Sequence, residues 1–162
     1  MPDVKTLYDQ DFVTWAEQQA EALRAAGRGT TNQPLDWENL AEEIEDLAKR
    51  DRRELHSQVR RIVEHLFKLQ YSPAVEPRAG WRGSVRNARA AIQDVIDDSP
   101  SLRTEMREII DEETKRGAQL ANAALADFGK LTDELRAKSF LDLIHYADDQ
   151  ILGDWFPPEP QG

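Results

Sequence analysis

Between Trp37 and Leu69 apolar side chains return every three or four positions: Trp37, Leu40, Ile44, Leu47, Leu55, Val59, Ile62, Leu66 and Leu69. That spacing draws one stripe along an α-helix and is foreign to the alternation of a half-buried strand. Asp36 is placed to cap the first turn, with Leu35 set to pack on Leu40, and Ser72-Pro73 closes the run. Such a helix is roughly 50 Å long at 1.5 Å per residue, a length that invites a bend. A striped helix cannot bury its stripe alone, so the remaining chain has to supply matching faces.

It supplies them as further helices. Asp9 to Ala26 carries Phe12, Trp15, Ala16, Ala20 and Leu23 on one face, and Gly27, Gly29 and Pro34 break it. Pro73, Pro77 and Gly80 precede a third helix, WRGSVRNARAAIQDVI, over 81–96. Ser99 caps and Pro100 begins a fourth, with Leu102, Met106, Ile109, Ile110, Leu120, Ala121 and Ala124, which stops near Gly129. Thr132 opens a last helical region with Leu135, Phe140, Leu143, Ile144 and Ile151. The architecture expected is all-α: a single-domain helical bundle of four or five helices over residues 1–162 with an irregular C-terminal end. Its core spans about 7–152, and 153–162 forms an extended Pro-rich tail.

Composition narrows the function. There is no cysteine, which removes disulfides and thiolate-held zinc and fits a reducing cytoplasm. No apolar run reaches the roughly 18 residues of a membrane span, and the first residues do not form a signal peptide. The formal net charge of −10 argues against general affinity for nucleic acid or an anionic membrane. The charge is unevenly spread: residues 49–89 hold eleven Lys/Arg against four Asp/Glu, leaving ten against twenty-seven elsewhere.

Glu42, Glu43, Glu45 and Asp46 crowd together, yet helical phase spreads them around the cylinder. Glu42 and Asp46 point into water, while Asp46–Arg50 and Glu45–Lys49 make i,i+4 pairs. The knot reads as a solvated face and not as an ion site. Asp51 and Glu113, by contrast, fall inside apolar stripes and need partners. Arg89 of the third helix, with Arg82, is the expected partner in a partly buried ion-pair network.

A helical metal site from Asp51, Glu113 and His145 is geometrically open, but Asp142-x-x-His145 is a single copy of the pair that metal-binding bundles repeat. Ordinary histidines are the preferred reading for His56, His65 and His145. No nucleophile elbow, phosphate loop or cofactor motif is present. HLFKLQYSP and WRGSVRNAR gather His65, Lys68, Tyr71, Trp81, Arg82 and Arg86, cations interleaved with aromatics, as the candidate ligand or partner surface. Neutralisation of the chain's own acidic helices is the preferred alternative there.

LYDQDFVTWAEQQAEALR, ENLAEEIEDLAKRDRREL, HLFKLQYSP, WRGSVRNAR, DSPSL and QILGDWFP, in that order, resemble the bacterial family catalogued as domain of unknown function 29. The resemblance covers most of residues 7–113 and the last stretch. It implies an all-helical bundle and carries over no catalytic residue. Three functions stand against these observations. The preferred one is a non-enzymatic module that binds a protein partner or a second copy. The others are anion or nucleic-acid binding through residues 49–89, and a metal-dependent enzyme using interior carboxylates and histidine.

Overall fold

The computed structural model describes residues 3–29, 32–127 and 146–159. Among these there are six α-helices and no strand: α1 (Val4–Gln10), α2 (Phe12–Gly27), α3 (Trp37–Tyr71), α4 (Arg78–Asp98), α5 (Met106–Asp127) and α6 (Asp148–Leu152). A 3₁₀ segment, Pro100–Glu105, precedes α5. The fold is all-α, as the periodicity requires. No helix of the described residues is long and apolar enough to cross a membrane. The region 132–145 expected to carry a last helix lies outside the described residues, apart from its end at α6.

The α3 helix is continuous over 35 residues, and its buried face follows a stricter rule than bulk alone reveals. Ala41, Ala48, Leu55, Ile62 and Leu69 recur every seven residues, each no more than 1% exposed. Val59, Val63, Leu66 and Phe67 widen that face in the C-terminal half. Leu40, expected in the stripe, is 42% exposed, and Leu35 is exposed beside it. Asp36 caps the helix as expected, accepting from the Asn39 amide at 3.3 Å.

The chain divides into two compact units, Met1–Glu54 with Asp94–Glu105, and Leu55–Gln93 with Met106–Gly162. In the first, the expected single helix from Asp9 is two helices, because Asp11 adopts extended backbone and caps α2. Its carboxylate accepts from the Thr14 amide at 2.9 Å and from the Ser101 amide at 2.7 Å. Burial would raise the Asp11 pKa, but these hydrogen bonds outweigh it and hold the carboxyl below its ordinary value. Ser99 Oγ accepts from the Val13 amide, so the serine read as a helix cap serves α2 instead. Arg52 bridges Glu17 and Glu105, and Arg24 bridges Glu38 and Glu45.

In the second unit α5 buries Met106, Ile109, Ile110, Glu113, Thr114, Gly117, Ala118, Ala121 and Leu125. Leu120, expected in this face, is 50% exposed. Gly117 faces α3 at close range: a Cβ there would lie 2.8 Å from the Arg60 carbonyl oxygen and 2.8 Å from Val63 Cβ. A methyl group therefore forces the helices apart or bends one of them. Gly117→Ala is expected to lower unfolding stability by about 1–3 kcal/mol, read from the denaturation midpoint at constant m-value; an unchanged midpoint would show that this contact gives way cheaply.

Candidate functional site

Glu113 is 0% exposed, a charged group in the core of the second unit. It sits there because α5 turns it toward the same face as Ile109, Ile110 and Gly117. His56 and Arg60, four residues apart on α3, share a helical face and reach it together. Arg60 Nε donates to Oε2 at 2.6 Å and Arg60 Nη2 to Oε1 at 3.2 Å. Arg116 Nη1 donates to Oε1 at 3.1 Å, and His56 Nδ1 lies 3.0 Å from the same oxygen. A carboxylate only accepts, so His56 carries its proton on Nδ1. Burial pushes the Glu113 pKa up; the Arg60 and His56 hydrogen bonds and the charges of Arg60 and Arg116 overcome it, and the carboxyl stays below its ordinary value.

Glu112 brings a second carboxylate to 3.8 Å from His56 Nδ1. One ligand atom from each of His56, Glu112 and Glu113 falls within 4.8 Å of the other two, the only such group of three among the described residues. Those donor types suit a divalent cation. The electrostatics oppose one, because two guanidinium groups, Arg60 and Arg116, already occupy Glu113 at hydrogen-bond distance. A cation there has to break a bidentate pair.

The expected Arg89–Glu113 pairing is corrected by this geometry: Glu113 takes Arg60, and Arg89 serves backbone. Arg89 donates to the carbonyl oxygens of Ile151 at 2.9 Å, Gln150 at 2.7 Å and Trp155 at 2.7 Å. It thereby satisfies carbonyls that a helix end leaves open at α6. Burial lowers its pKa. Asp51 has no ion-paired arginine among the described residues. It lines a cleft of about 410 Å³ with Tyr8, Asp9, Phe12 and Asp98. Burial raises its pKa; the charge of Arg50 opposes that rise, and Asp98 and Glu54 add to it.

The candidate surface resolves into residues of different kinds. Tyr71 is buried against Phe67 with ring centroids 4.7 Å apart. Lys68 pairs with Glu64 at 2.6 Å. His65 is half-buried, with no hydrogen-bond partner for Nδ1 among the described residues, and burial lowers its pKa. Trp81 is half-buried. Arg82 pairs with Glu159, and Arg86 is exposed with its guanidinium carbon 5.3 Å from the Phe156 ring centroid. Arg78, at the entry to α4, was absent from the sequence-based surface. Its guanidinium donates to the carbonyls of Leu69 at 2.6 Å and Ser72 at 3.3 Å, closing the end of α3.

Of the acidic knot, Glu42 and Glu43 are exposed. Glu45 and Asp46 are half-buried, and Lys49 lies 3.2 Å from Glu45 and 3.3 Å from Asp46, so Asp46 meets Lys49 in place of Arg50. His145 and Asp142 lie outside the described residues.

The family described as domain of unknown function DUF29 matches residues 7–156. That match runs through 115–149, where the quoted motifs leave a gap. The chain is similar to a crystal structure of an α-helical protein of unknown function from Rhodospirillum rubrum. The two are 30% identical with a TM-score of 0.75, over 90% of this chain and 89% of the other. No curated protein matches the chain.

Two titration outcomes follow. The Glu113 pKa is depressed on folding, so its contribution is fully present above the ordinary glutamate value of 4.5 and fades as pH falls through the folded value. Glu113→Gln is expected to lose about 1–3 kcal/mol at pH 7, less than a fully buried pair because Arg60 keeps contact with solvent. The difference from wild type should vanish in acid, and a loss independent of pH would refute the ionic account. Asp51 has the opposite sign: its folded pKa lies above 3.8, so stability is lost as pH rises through that interval and the full penalty stands at neutral pH. Asp51→Asn is expected to raise Tm by about 1–3 °C at pH 7 and to leave it unchanged at pH 3; a lower Tm at pH 7 would contradict the assignment.

Proposed function

We propose that the chain, which belongs to the DUF29 family, works as a helical protein-interaction module and not as an enzyme. Support comes from how the charged groups are spent. The carboxylate best placed for chemistry, Glu113, is closed off by Arg60, Arg116 and His56. Arg52 and Arg24 are likewise held between pairs of glutamates. Groups locked into bidentate pairs hold helices in register and are poorly free to move protons or bind substrate.

The single observation that carries the reading is Arg86. It is exposed on α4 and has no carboxylate partner among the described residues, while Arg78 and Arg82 on the same helix are both neutralised. A cation with no polar acceptor among the described residues, beside Arg78, Arg82 and Arg89 which each have one, on a protein of net charge −10, favours docking of an acidic protein surface through steering and register. The same chain's acidic remainder offers such a surface, so a second copy is one such partner.

Two other readings weigh less. Nucleic-acid or free-anion binding through 49–89 loses Arg52, Arg60, Lys68, Arg78 and Arg82 to internal carboxylates. A metal-dependent enzyme has the His56–Glu112–Glu113 group in its favour and the two guanidinium groups against it.

The test compares tagged wild type with Arg86→Glu by affinity capture from the native cell and by light scattering across protein concentration. The expected result is a retained partner or a dimer that wild type forms and Arg86→Glu loses. Identical captured sets, with both proteins monomeric throughout, would overturn the proposal.

A further inference from the structure

At 100° per residue Arg78, Arg82, Arg86 and Arg89 share a sector of about 80° on α4. Residues 153–159, GDWFPPE, bend at Gly153 and Asp154 and follow that sector as neither helix nor strand. Three kinds of contact hold them. The Trp155 carbonyl accepts from Arg89 Nη2 at 2.7 Å. The Phe156 ring lies under three guanidinium groups, with centroid distances of 5.0 Å to Arg89, 5.3 Å to Arg86 and 6.0 Å to Arg82. Glu159 pairs with Arg78 at 2.7 Å and with Arg82. Arg78 is 7% exposed and Glu159 is 57% exposed, so the cationic side is built into the fold while the acid rests on it.

The dimensions fit a linear ligand. From Arg78 to Arg89 the helix rises about 16 Å at 1.5 Å per residue, and four residues of extended chain from Trp155 to Glu159 span roughly 13 Å. Arginine side chains take up the difference. Pro157 and Pro158 restrict the segment before it docks, which lowers the entropy lost on binding. Each polar contact is individually weak because its acidic or aromatic partner meets solvent. An intramolecular segment nonetheless presents itself at high effective concentration and holds the face.

We propose that this arginine row is a docking groove for an extended protein segment with an aromatic residue followed three positions later by a carboxylate. Residues 153–159 are its intramolecular occupant, and a partner's segment of the same chemistry displaces them. The inference rests on the interaction reading above and names the partner's chemistry and its competitor. Among the described residues Arg86 meets only the Phe156 ring, which leaves it open for an additional acid on an incoming segment.

The test uses the full chain and a labelled synthetic peptide of residues Gly153–Gly162, followed by fluorescence anisotropy. Phe156→Ala combined with Glu159→Gln weakens the internal occupant and leaves α4 intact. The double variant is expected to bind the peptide at least tenfold more tightly than wild type, and adding Arg82→Glu should remove the gain. A peptide with Ala for its Phe and Gln for its Glu should not bind. If the double variant does not fold by circular dichroism, Glu159→Gln alone carries the test, with an expected gain of at least threefold.

Peptide affinity equal to that of wild type in a folded variant would overturn the proposal, as would equal binding of the substituted peptide. Inorganic phosphate that competes fully with the peptide at equal concentration would replace the groove with a simple anion site and also overturn it. Failure here with persistent Arg86-dependent capture would leave the interaction reading standing on another occupant. Success here with no captured partner would confine the groove to the chain's own segment.

Discussion

A carboxylate that is wholly shielded from solvent must be neutralised or matched, and in this protein Glu113 is matched. Much of the second unit follows from that requirement. Arg60 and His56 must occupy one face of α3, one turn apart, and α5 must approach closely enough for both to reach the same carboxyl group. Gly117, one turn beyond Glu113, permits the approach, since any side chain there meets the backbone of Arg60. The ion cluster and the close helix contact are thus two parts of one constraint. A hydrophobic residue at 113 packs as well in principle, so the charge contributes register more than raw stability.

The second unit handles a different surplus on α4. Four arginines on one sector repel one another unless each finds an acceptor, and they find three sorts. Arg78 takes carbonyls at the end of α3 and the Glu159 carboxylate, Arg89 takes carbonyls around α6, and Arg82 shares Glu159. The aromatic face of Phe156 serves Arg82, Arg86 and Arg89 together. Residues 153–159 therefore act as a counter-surface to α4.

How far the sequence foretold this differs from residue to residue, for physical reasons. The all-α class and the cap at Asp36 were legible because helical period and local capping need no partner element. The phase of α3 was set slightly wrong by weighing bulk: Leu40 drew the stripe toward itself, whereas Ala41 and Ala48 are the fully buried residues. Small side chains mark close contact, and they carry little weight in a hydrophobicity pattern. The same bias placed Leu120 inside. Asp11 looked like one more helical acid because the Ser101 amide that fixes it is 90 residues away.

For the candidate site, the need of Glu113 for a cation was legible and the cation's identity was not. Arg89 and Arg60 are both arginines near an apolar stripe, and only tertiary packing decides which one reaches the acid. His56 carried a usable signal in its spacing of four from Arg60. The part played by 153–159 was hidden, since an extended segment has no period to betray the surface it covers. Held by Arg60, Arg116 and His56, Glu113 is a charged structural strut. Carbon-13 NMR titration of its carboxyl carbon, in the presence and absence of manganese and zinc, tests this most directly. A carboxylate that remains ionised below the ordinary glutamate range and ignores both metals is predicted. A carboxyl group that protonates above that range, or a signal broadened or shifted by either ion, would contradict it.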